Sequence, residues 1–342
     1  YNSIFFPIAE LSSSITIGLI AWYGGLNAVV DDTATLGDLT AFIMMIPMLF
    51  RPLRQIADKF NTLQMGMVAA NRVFKVLETT SQIDDTGTQV ATHFKGDINF
   101  NNVHFSYVTD EEVLKGISLN VKAGDTIAIV GATGAGKSTI INLLNRFYEI
   151  NKGVITVDGT DIKEFTLASL RQQIAVVLQD VFLFADTILS NITLNNPHIT
   201  EDDVVEAAKA IGIHDFIMTL PNGYHYNVKE RGAMLSSGQR QLISFLRAYV
   251  TNPSILVLDE ATSSVDSYSE QLIQNATDKI TKNRTSIVIA HRLATIKKAD
   301  QIIVMDAGEI VEQGTHNELL KKDNGYYKNL HDVQFAKEEV AV

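Results

Sequence analysis

The chain opens on two apolar stretches divided by a short acidic one, and then changes character. Leu11 to Val30 is a run of twenty residues without a charged side chain, close to the ~20 that a helix needs to cross ~30 Å of hydrocarbon. A second apolar run, Leu39 to Phe50, reaches that length only if Asp38 sits at one interface while Arg51 and Arg54 snorkel at the other. From there apolar residues recur at helical spacing (Leu53, Ile56, Phe60, Leu63, Met67, Ala70, Phe74, Leu77), so the second helix is expected to continue to about Glu78. Pro47 permits a kink within it. The pattern predicts an all-α transmembrane hairpin with a cytosolic extension over residues 1–80. Two buried helices of a soluble domain are the alternative. The next stretch, Thr79 to Thr92, is rich in Thr, Ser, Asp and Gln, and it reads as a linker, bounded at 81–93.

Beyond it, short Val- and Ile-rich runs alternate with helical patterns: Thr126–Val130, Ile174–Leu178, Ile255–Leu258, Ser286–Ala290 and Ile302–Met305. Strands this uniformly apolar are covered on both faces, which predicts a mainly parallel sheet in an α/β domain over 94–335, followed by a tail at 336–342.

Charge sharpens the division. The first fifty residues hold no Lys or Arg and four carboxylates (Glu10, Asp31, Asp32, Asp38), whereas Arg51, Arg54, Lys59, Arg72 and Lys75 follow the second run. By the positive-inside bias the α/β domain is cytoplasmic and the protein an integral, multi-pass one of a plasma or inner membrane. No basic segment precedes the first run, so a cleaved leader is not expected, and the abrupt apolar start suggests a piece of a longer protein. With 39 acidic against 28 basic residues and a net charge of −11, the chain lacks a nucleic-acid footprint. No cysteine is present, which excludes disulfides, thiol catalysis and Cys-type zinc sites. Phe42, Met44, Met45, Met48 and Phe50 would suit a hydrophobic transported substrate, and contact with membrane lipids explains them equally well.

The candidate chemistry lies in the second part. The strand Thr126–Val130 runs into GATGAGKST (Gly131, Ala132, Thr133, Gly134, Ala135, Gly136, Lys137, Ser138, Thr139) and then into a helix expected to reach about Tyr148. Strand, glycine-rich loop and helix in that order form the context of a phosphate-binding loop. Backbone N–H groups would close around phosphate oxygens, Lys137 would meet the β- and γ-phosphates of ATP, and the Ser138 hydroxyl would meet Mg²⁺. Downstream, ILVLDE puts Asp259 and Glu260 at a strand's C-terminal end, where Asp259 can serve the metal and Glu260 can act as base on water.

These residues, together with LSSGQ at Leu235–Gln239, resemble the nucleotide-binding domain of an ATP-binding cassette exporter half, with its last two membrane helices in front. The resemblance covers about Phe94 to Phe335. It implies that Ser236, Gly238 and Gln239 complete a site on a second half-transporter, identical or different. It further implies that Tyr107 stacks on adenine, Gln179 senses Mg²⁺ and water, and His291 contacts the γ-phosphate and orients Glu260. Glu230 matches an exporter-type loop before the signature, and Asp266 a loop that crosses the dimer. The first four helices are missing, and Ser237 stands where the family usually has glycine, so its Cβ is expected to reduce tolerance there. Two rival readings are a soluble cassette acting on DNA or ribosomes, opposed by the acidic balance, and a cassette that binds nucleotide without turnover, opposed by Glu260 and His291.

Overall fold

The computed structural model describes residues 2–30, 35–79, 83–259, 267–290 and 292–334, and divides into two units, Tyr1–Ser81 and Gln82–Val342. The first contains α1 (Asn2–Val30) and α2 (Leu36–Glu78). Thr35 starts α2 with a capping box: the Asp38 N–H donates to Thr35 Oγ1 at 3.2 Å, and the Thr35 N–H donates to Asp38 Oδ2 at 3.0 Å. Helix α2 then runs without a break through Pro47 and Pro52. The two helices meet where Gly24 faces Leu39 so closely that any added Cβ would collide with its side chain, the close approach that small residues permit.

The expected span over Leu11–Val30 is corrected here. Among the described residues no helix is long and apolar enough to cross a membrane. Length is ample, since α1 has 29 residues. Its apolar density falls short, because Ser12, Ser13, Ser14, Thr16 and Asn27 interrupt the Ile and Leu positions. A stretch without charge is therefore not yet a stretch of hydrocarbon. Asp31 and Asp32, expected in the acidic loop, lie outside the described residues.

In the second unit the strands are β1 (Ile98–Val108), β2 (Glu111–Val121), β3 (Thr126–Gly131), β4 (Lys152–Val157), β5 (Thr160–Asp161), β6 (Ile174–Val177), β7 (Ile255–Asp259), β8 (Thr285–Ile289), β9 (Gln301–Asp306) and β10 (Glu309–Gly314). They form a six-stranded sheet, β10-β9-β3-β8-β7-β6, and a four-stranded one, β2-β1-β4-β5. The large sheet is parallel except for β10, which returns antiparallel on β9; the small sheet is antiparallel.

Alternate residues of the parallel strands enter two separate cores. Ala128 and Val130 of β3 join one with Leu256, Leu258, Val288, Ile302 and Val304, packed against the helices Glu201–Ile211, Ser237–Val250 and Ser267–Thr281. Ile127 and Ile129 face the other, shared with Ile98, Phe100 and Phe105 of the small sheet. Both faces being buried, the period-two alternation of an exposed sheet vanishes from the sequence. The polar segment at 83–93 is seated on this unit: the N–H groups of Thr88 and Gln89 donate to the Glu164 carbonyl at 3.0 and 2.9 Å, and that of Ala91 to Ser169 Oγ at 3.0 Å.

Candidate nucleotide site

The loop between β3 and α3 (Lys137–Leu144) is shaped by what glycine allows. Gly136 caps α3 with φ +98, and a Cβ there would lie 2.6 Å from Leu114 Cδ2. Gly131 abuts the Met305 carbonyl of β9 so tightly that a side chain would collide with it. Helix α3 is shorter than expected: it ends at Leu144 rather than near Tyr148, because Arg146 takes the left-handed conformation (φ +50). Its apolar face, Ile140, Ile141, Leu143 and Leu144, is buried in the core shared by the two sheets, so the N-terminus is held firmly at the loop.

Lys137 folds back over that loop, donating from Nζ to the carbonyls of Gly131 at 2.7 Å and Ala132 at 2.9 Å. Burial lowers its pKa, and the nearby Asp259 carboxylate opposes that shift. A desolvated ammonium beside a helix N-terminus makes the loop a strong anion trap. Ala135 is buried, so of that residue only backbone can face a ligand, whereas Ala132, Thr133, Gly134 and Ser138 are exposed.

Several elements converge on one cavity of about 540 Å³. Thr133, Gly134, Gly136, Lys137, Ser138 and Thr139 line it from the loop and α3; Asp259 enters from the end of β7, Gln179 from just beyond β6, and Tyr107 from β1. The residues from β6 and β7 sit at carboxyl ends of parallel strands, where open α/β sheets bind ligands. The shape and donors fit ATP: the loop offers backbone N–H groups and a cation to the phosphates, and Tyr107, 46% exposed, offers a ring to the base. Ser138, Gln179 and Asp259 supply oxygen donors only, which suits a hard cation such as Mg²⁺ completed by phosphate and water. Among the described residues no group of three or more His, Asp and Glu could hold a metal alone.

Glu260, Asp266 and His291 fall outside the described residues. Glu230 opens a short 3₁₀ turn, Glu230–Gly232. Ser236, Gly238 and Gln239 do not line the cavity. Ser236 instead caps the helix Ser237–Val250, its Oγ accepting from the Gln239 N–H at 3.2 Å while its own N–H donates to Gln239 Oε1 at 3.0 Å. Ser237 is the first helical residue, exposed and without a positive φ, so its backbone makes no demand for glycine. The sequence reading missed Asn142 and Tyr148, both of which touch Tyr107. Helix spacing places Asn142 on the same face as Thr139, but nothing in that spacing points to Tyr107.

Comparison with known proteins gives this geometry a family. A family model described as ABC transporter matches residues 114–263. The chain is 41% identical over 336 residues to the uncharacterized ABC transporter ATP-binding protein YknV of Bacillus subtilis, covering 98% of this chain and 55% of that protein. It is 42% identical over 337 residues to the ATP-dependent lipid A-core flippase of Escherichia coli, covering 98% of this chain and 57% of the flippase. Among solved structures, a bacterial Atm1-family ABC exporter with ATP bound superposes with a TM-score of 0.72 at 38% identity, over 98% of this chain and 58% of that one. The chain thus spans a little over half the length of the relatives it matches. Its second unit is accordingly an ABC transporter nucleotide-binding domain, the ATP-binding part of that family.

Proposed function

We propose that this chain is the C-terminal part of an exporter half that hydrolyses ATP and couples closure of two nucleotide domains to movement of a substrate across a membrane. The observation that carries the reading is the convergence of the phosphate loop, Gln179, Asp259 and Tyr107 on one cavity whose lining does not include the signature residues. Residues 1–80 form the end of the membrane domain, 81–93 the connection, 94–335 the nucleotide domain and 336–342 a tail. Ile15, Trp22, Tyr23, Met44 and Met48, each at least 60% exposed, support burial of the helices against lipid or further helices of a longer chain. The names of the flippase relatives favour a lipid-like, hydrophobic cargo. The nucleotide domain is then cytoplasmic.

In this reading Lys137 neutralises charge on the β- and γ-phosphates, and Ser138, Gln179 and Asp259 hold Mg²⁺, which would supply further charge neutralisation when bound. Glu260 takes the proton of the attacking water, and His291 fixes the geometry. Tyr107 carries the adenine, and Ser236, Gly238 and Gln239 meet the γ-phosphate held by the second half. Glu260→Gln should keep ATP binding and lose ~10²- to 10⁴-fold in turnover, because an amide accepts no proton. Phosphate release from the intact protein measures it, and turnover within tenfold of wild type would remove Glu260 from the role.

A further inference from the structure

Tyr107 is held at its hydroxyl and packed against two neighbouring rings. Its hydroxyl donates to Thr139 Oγ1 at 3.2 Å and accepts from Asn142 Nδ2 at 3.2 Å, so its donor and one acceptor position are used within the protein. Its ring stands at 87° to Phe105, with centroids 4.7 Å apart, and at 89° to Tyr148, with centroids 4.9 Å apart. Phe105 is itself buried in the core between the sheets, so this edge-on cluster is built on a rigid base. Thr139 and Asn142 lie on one face of α3, the helix that begins at the phosphate loop. Yet nearly half of Tyr107 stays exposed beside the cavity. The hydroxyl is held while much of the side chain stays open to solvent beside the cavity.

We infer that Asn142 is a positioning residue for the base of the bound nucleotide. Through the Tyr107 hydroxyl it sets the stacking ring in its working orientation before the ligand arrives, while the hydroxyl's own bond to Thr139 ties that ring to the phosphate loop. The inference rests on the ATP reading of the cavity. A preset ring gives up less rotational freedom on binding, so the stack is retained as affinity rather than lost to ordering. Because Asn142 acts only through Tyr107, its removal should weaken ligands that carry a base and spare those that do not.

The test compares displacement of a fluorescent ATP analogue by ATP and by inorganic tripolyphosphate, on the intact protein and its Asn142→Leu, Tyr107→Phe and doubly substituted forms. Asn142→Leu is expected to weaken ATP about three- to tenfold, the range for one lost hydrogen bond. Tripolyphosphate should shift less than twofold, and KM for ATP should rise with kcat retained. The double variant should be no weaker than Tyr107→Phe alone, since both substitutions break the same link. Equal losses for ATP and tripolyphosphate, or additive losses in the double variant, overturn the inference in favour of general damage to α3. Should the leucine variant fail to fold, Asn142→Ala removes the same donor with less bulk and is read by the same criteria. Wild-type protein that binds tripolyphosphate but not ATP overturns the base platform itself, and one that binds neither overturns the ATP reading beneath it.

Discussion

At the scale of single residues, Lys137 and Ser237 separate what a side chain contributes by charge from what it costs by shape. The Lys137 ammonium is partly desolvated and held by two loop carbonyls, so its attraction to phosphate is little screened by water. Lys137→Ala should therefore weaken ATP binding by about ten- to a hundredfold, the scale of one charge-assisted contact, in a calorimetric titration. Unchanged affinity would show that the lysine does not face the phosphates. Ser237 is the opposite case. The expectation that its Cβ would be poorly tolerated rested on crowding of the phosphate approach or on the need for another backbone conformation, and the second does not arise, because the residue occupies an ordinary helical position. Ser237→Gly should then lower stability, by up to ~0.5 kcal/mol, through added freedom in the unfolded chain. A rise in Tm on that substitution would mean that the Cβ is crowded after all.

At the scale of elements, the loop before α3 shows how backbone conformation and packing jointly impose a residue. Gly136→Ala must accept both a left-handed φ and contact with Leu114, together worth about 1–3 kcal/mol. It should lower Tm and ATP affinity at once, and a variant that binds ATP normally would show the loop to be more pliable than its packing implies. The same double demand makes the phosphate loop legible in sequence. The parallel strands were legible too, since burial on both faces writes an unbroken apolar run. The small sheet was not. Its β1–β2 pairing shifts register between Phe100 and Val103 and again beyond Phe105, and Asn102 takes a φ of +47, so no steady alternation survives to be read. Asn142 escaped for another reason: its partner lies 35 positions away, a contact that spacing along one helix cannot reveal. Helix termini add a pH signature. Hydrogen bonds from the Thr200 side chain and backbone lower the Asp203 pKa, as those from the Thr315 backbone and side chain lower that of Glu318. Their stabilisation is complete above the ordinary carboxylate range and is lost as pH falls through the lowered values. Thr200→Ala should thus lower Tm at neutral pH and by less in acid; an equal loss at both would assign the effect to something other than the carboxylate.

At the scale of the whole molecule, the question is where the signature acts. Ser236, Gly238 and Gln239 start the helix Ser237–Val250 and are absent from the lining of the cavity that holds the phosphate loop. A signature that caps a helix and lies outside the lining of its own chain's cavity is the arrangement expected if it serves a second chain's nucleotide. Two defective forms decide the matter: Lys137→Ala, which spoils the phosphate loop, and Ser236→Arg, which sets a bulky cation at the signature. Paired with itself, each form has no intact site. A mixed dimer brings the sound phosphate loop of the Ser236→Arg chain to the sound signature of the Lys137→Ala chain, and one site returns if sites form between chains. Trapped ATP in enforced mixed dimers of the complete protein is the measure, because hydrolysis can require both sites while occlusion requires one. Occlusion no greater than in either parent would place the signature's partner within its own chain and remove the dimeric site from the mechanism.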